Sequence, residues 1–135
     1  MKLYTTPPNT LEEFYEFYES IPTNKWNVDK FHGPLKHCVR GHLRVAFPLH
    51  HGQVEERLIK RLAQAWGFEY DSKTHMHLIH TLADINNRPT KKYYFSSPRG
   101  RVLAYLEDSI EERDKRIVEA FQSSDGDMPE FEGLF

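Results

Sequence analysis

Along most of this chain the hydrophobic positions recur at intervals of three and four, the spacing that lines up one face of a helix. Leu11, Phe14, Tyr15 and Tyr18 form the first such face, and Phe17 and Ile21 widen it. Thr10 and Glu13 stand at capping-box spacing, where each side chain satisfies a backbone N–H that a helix start leaves over. Pro22 stops the run, so the pattern predicts a helix over 10–21. Its aromatic face suits packing against a core or, in a sharper reading, gripping a partner.

Val54, Leu58, Ile59, Leu62, Ala63, Ala65 and Trp66 predict a helix over 53–66, with Glu56 and Lys60 four apart on the wet side and Gly67 as its stop. Ser72 or Thr74 is placed to cap a helix over 74–86 that carries Met76, Ile79, Leu82, Ala83 and Ile85 and ends at Asn86-Asn87. Ser97 followed by Pro98 opens a helix over 98–122, lined by Val102, Leu103, Leu106, Ile110, Ile117 and Phe121. That stripe thins after Ile110, which predicts last turns that project from the domain or bind something.

Phe31 to Phe47 is the stretch the others are expected to surround. Pro34 fits a helix's first turn, Cys38, His42, Val45 and Ala46 follow at helical spacing, and Pro48 closes the segment. A buried helix over 34–47 is predicted, with the second and fourth helices central. Trp26, in the polar connection before it, reads as a lid folded onto the core or as a ligand-stacking ring.

The predicted architecture is all-α. A single compact domain of about five helices spans 1–122, with an extended lead-in at Pro7-Pro8 and a flexible acidic tail at 123–135. At 135 residues the chain can bury a core without staples, and with aromatics at 13% much of that core must be aromatic. A net charge of −2 gives no global attraction to nucleic acid or anionic lipid, so either would need a local patch. One cysteine excludes an internal disulfide and a cysteine-rich zinc site. No apolar run reaches membrane-spanning length and the N-terminus has no hydrophobic signal region, so a cytoplasmic protein with no membrane partner is expected.

Three features carry candidate chemistry. Arg88, Lys91, Lys92, Arg99 and Arg101 interleave with Tyr93, Tyr94 and Phe95. Cations in the first turn of a helix oppose its dipole, which points to an anion there; Lys91, Lys92, Tyr93, Tyr94, Arg99 and Arg101 are the candidate nucleic-acid or phosphate contacts. Cys38 and His42 lie four apart, on one helical face, and with a histidine of the fourth helix they could form a metal site or a thiolate pair. The eight histidines lack any HExxH or paired-cysteine spacing, so no metal and no cofactor is predicted. The tail, ending in Leu134-Phe135, reads as disordered or as a docking peptide.

Four pieces in order resemble the domain of unknown function 6197, a family of small bacterial and phage proteins. They are Trp26 with Gly33; Cys38-Val39-Arg40-Gly41-His42-Leu43-Arg44-Val45-Ala46, similar to Cys-x-x-Gly-Ala-Leu-x-x-Ala; Leu82-Ala83-Asp84-Ile85-Asn86-Asn87, similar to Ile-Ala-x-x-Asn-Asp; and Val102-Leu103-Ala104-Tyr105-Leu106. His42 stands where the family has alanine, and Asn87 where it has aspartate. The resemblance, over roughly residues 26–110, implies the helical fold, a neighbourhood shared by Cys38, Gly41 and Asn86, and no particular activity. Trp26, Cys38, Gly41, His42 and Asn86 thus make a candidate pocket.

The expected function is a non-enzymatic binding or regulatory protein, with a phage-encoded protein acting on a host protein as the particular expectation. The alternatives are nucleic-acid or phosphate binding through 88–101, and an enzyme or metal site built on Cys38 and His42.

Overall fold

The computed structural model describes residues 6–28, 37–94 and 97–123. Its helices are α1 (Leu11–Glu19), α2 (Val39–Ala46), α3 (His51–Trp66), α4 (Ser72–Asn87) and α5 (Pro98–Ser123), with a 3-10 turn at Thr23–Lys25. The described residues hold no strand, only one isolated parallel bridge between Trp26 and His37. The chain is all-α. The expected tail, apart from Ser123 at the end of α5, lies outside the described residues, as does Pro34.

α1 starts with the reciprocal capping box read from Thr10 and Glu13. Leu11, Phe14, Phe17 and Tyr18 are all buried, so the aromatic face is core. The Tyr18 hydroxyl donates to the Val39 carbonyl at 2.9 Å and ties α1 to the start of α2. At the lead-in, Arg57 and Arg61 of α3 donate to the carbonyls of Pro8 and Asn9.

α2 is the largest correction. It begins at Val39, not near Pro34, because His37 is used in an extended pairing. The His37 N–H donates to Lys25 O and the Asn27 N–H donates to His37 O, both at 2.9 Å. A residue whose N–H and C=O both serve a neighbouring extended segment cannot also open a helical ladder. Cys38 is therefore the half-buried N-cap, not a residue inside the helix. Val45, expected inside, is 36% exposed.

The fourth helix also differs in detail. Its N-cap is Asp71, whose Oδ1 accepts the Thr74 N–H at 2.8 Å, rather than Ser72 or Thr74. That bond holds the Asp71 carboxyl below its ordinary range. Met76 is 51% exposed, and the inner stripe is Leu78, Ile79, Leu82, Ile85 and Asn86. After Asn87 the chain turns out through an extended Arg88 rather than a left-handed asparagine.

The centre is shared by α3, which packs against all four other helices, and α5, which packs against α1, α3 and α4, whereas eight-residue α2 meets α3 and α4. An eight-residue helix is only about 12 Å long, too short to serve as the central rod. Past Arg113, α5 runs out into solvent, with Val118 and Phe121 about half exposed, as the thinning stripe predicted. No helix among the described residues is long and apolar enough to cross a membrane.

Candidate functional site

The end of α3, the middle of α4, the loop before α5 and α5 itself build an aromatic cleft. Gly67 ends α3 in the left-handed conformation, with φ at +75°. The Phe68 N–H returns to Ala63 O at 2.8 Å and the Gly67 N–H to Gln64 O at 3.3 Å, the paired bonds of a Schellman stop. This stop leaves Trp66 half-buried and Phe68 47% exposed, with the Phe68 ring edge-on to His77 of α4 at 6.1 Å. Trp66 is fixed from below: its indole N–H donates to Ser109 Oγ at 2.9 Å, and its ring stacks on Tyr105, 6.3 Å between centroids and 10° from parallel.

The opposite wall comes from the loop. Pro89 ends helical pairing, and Thr90 folds the chain back: Thr90 N–H donates to Tyr93 O at 2.8 Å and Tyr93 N–H to Thr90 Oγ1 at 2.9 Å. Tyr93 is thereby buried against Tyr105, its hydroxyl donating to Asp108 Oδ2 at 2.7 Å. Burial first, and then Asp108, push the Tyr93 phenol well above its ordinary range; burial does the same to Tyr105. Both phenols therefore stay neutral, and that of Tyr93 donates.

Lys92 lies between these walls. Its Nζ is 5.3 Å from the Trp66 ring centroid, 5.7 Å from that of Tyr93 and 3.6 Å from Asp108 Oδ2. It lines a cavity of about 220 Å³ together with Trp66, Phe68, His77 and Tyr105. It also lines a cavity of about 190 Å³ together with Trp66, Asp108, Glu111 and Glu112. The cleft offers ring surface, an exposed cation and three carboxylates.

The basic set read from sequence is dispersed. Arg101 is 2% exposed and caps α4, donating through Nε to Ile85 O at 2.6 Å and through Nη2 to Asn86 O at 2.7 Å. Arg99 does the same for α1, reaching Ile21 O and Glu19 O. Arg88 pairs with Asp84. Lys92 and Tyr93 belong to the cleft, while Lys91 and Tyr94 are exposed. Two cations in the first turn of α5 are thus explained by the carbonyl ends of two other helices.

Of the other candidate pocket, Trp26, His42 and Asn86 are buried in a packed junction at the start of α2. Trp26 and His42 have ring centroids 4.5 Å apart, and the His37 ring stands 5.4 Å from that of His42. Asn86 is wholly buried: its Oδ1 accepts the Val39 N–H at 3.2 Å and its Nδ2 donates to Asn27 O at 2.9 Å. Asn86 therefore caps α2, beside Cys38 and two residues from Gly41. On α4, His75 bonds the Tyr70 hydroxyl and His77 faces Phe68. Among the described residues no three His, Cys, Asp or Glu side chains come together as metal ligands.

Sequence reading missed Phe68, Tyr105 and Asp108 as site residues, weighed His77 only among the fourth-helix histidines as a metal ligand, and took Trp66 only as core. The available signal was Trp66-Gly67-Phe68, two aromatics flanking a helix stop, where at least one ring must leave the helix's own inner stripe. No family model, curated protein or solved structure matches this chain.

Proposed function

We propose that this chain is a non-enzymatic binding protein that docks on a partner protein through the cleft around Trp66. Its likeness to the domain of unknown function 6197 extends the proposal to a phage-encoded regulator of a host protein. The observation that supports docking is the exposure of Phe68 beside His77 and half-buried Trp66, on a base made rigid by α3, α4 and α5. Aromatic side chains so held give large contact area with little rotamer entropy to lose, the property of interface anchors.

The test uses the immobilised full chain and lysate of the candidate host. Phe68→Ser with His77→Ala changes only exposed side chains, so stability is expected to stay within about 0.5 kcal/mol. Partner capture is expected to fall at least tenfold. Capture that is unchanged by the double substitution overturns the reading. The nucleic-acid alternative requires Arg99 and Arg101 to leave the helix carbonyls they now cap; steep, salt-dependent retention on a DNA column would favour it.

A further inference from the structure

Lys92 is bound within its own chain as a ligand is bound. Its ammonium lies over two aromatic rings and near one carboxylate oxygen, yet its side chain is 61% exposed. It lines two cavities that also share Trp66, so moving its side chain outward opens ring surface common to both. Asp108, Glu111 and Glu112 edge that cleft against Lys92 and Lys115, and Glu112 is engaged by Arg116 at 3.3 Å. With Lys92 rotated away, the remaining charge beside the rings is negative.

Resting on the docking reading above, we propose that the cleft is a lysine-reading site, in which an exposed lysine of the partner protein replaces Lys92 between Trp66, Tyr93 and Asp108. A primary ammonium fits better than a guanidinium, because Asp108 Oδ2 already accepts the Tyr93 hydroxyl and presents no two-oxygen fork. Lys92 keeps the rings covered until the partner arrives. The tethered lysine competes with any incoming one, so the free chain binds a small lysine probe weakly.

The probe is N-acetyl-lysine methyl ester, with N-acetyl-norleucine methyl ester as its neutral counterpart. Each is titrated into the full chain while the two indole N–H resonances are followed. The Trp26 indole, buried and donating to Ile21 O, serves as the internal reference. Lys92→Ala, at an exposed position, is expected to bind the lysine ester about tenfold more tightly than the native chain, moving the Trp66 resonance alone. Adding Asp108→Asn to Lys92→Ala, which keeps an acceptor for Tyr93, is expected to cancel the gain. Equal affinity in Lys92→Ala and the native chain, or equal binding of the norleucine ester, overturns the lysine site. Capture that depends on Phe68 and His77 without any gain in Lys92→Ala sinks the lysine site and leaves docking standing. A gain in Lys92→Ala with capture indifferent to Phe68 and His77 does the reverse.

Discussion

His42 is wholly buried with no hydrogen bond to either ring nitrogen. A neutral imidazole tolerates this and an imidazolium does not. Burial, and then the neighbouring His37, hold the His42 pKa down at about 3 from an ordinary 6.5. The unfolded chain therefore binds a proton that the folded chain refuses across that window. Stability is full above pH 6.5 and falls as pH drops from 6.5 towards 3. Urea midpoints measured through this range are expected to decline, and His42→Leu to decline much less. Arg101 makes the complementary case of a buried charge whose donors are used. Arg101→Met keeps the volume but strands the Ile85 and Asn86 carbonyls, an expected loss of about 2–3 kcal/mol in urea unfolding.

Each helix here is ended by something specific, and the means differ. α3 stops on local chemistry. Gly67→Ala forces a side chain into a left-handed backbone and is expected to cost about 1–2 kcal/mol, with Gly67→Asn costing less. The Arg116 guanidinium, 2.5 Å from where the new Cβ would stand, is the end of a long side chain and can shift. α2 instead starts on a distant residue: Asn86 supplies the acceptor that Cys38 does not. Asn86→Ala is expected to cost about 2–3 kcal/mol, since one change uncaps α2 and strands the Asn27 carbonyl. Asn86→Asp retains the acceptor and loses the donor, so comparing the two denaturation curves separates the roles.

At the scale of the molecule, α5 organises the other helices through charged as well as apolar contacts. Arg113 is 6% exposed and forks onto Glu12 of α1 while also meeting Asp114. The Arg113 hydrogen bond lowers the Glu12 pKa below 4.5, so this link is present above about pH 4.5 and is lost as pH falls through the lowered value. Water reaches the carboxylate, whose side chain is half exposed, so Glu12→Gln is expected to cost only about 1 kcal/mol at neutral pH, read from thermal unfolding. The same helix floors the Trp66 cleft through Tyr105 and Asp108, so the proposed docking site and the fold share a scaffold.

The chain's local pattern determined its five helices, the capping box at Thr10 and Glu13, the stop at Gly67 and the start at Ser97-Pro98. Those depend on neighbours within four residues, which a sequence displays directly. The tertiary structure decided the rest. His37 leaves the predicted helix because Lys25 and Asn27 pair with it, α2 yields the centre to α3 and α5, and Arg99 and Arg101 turn from an apparent anion patch into caps for α1 and α4. The cleft joins Trp66, Lys92 and Asp108, which lie tens of positions apart. Each of these outcomes turns on which distant carbonyl or ring meets a given donor, and that is fixed only when the helices pack.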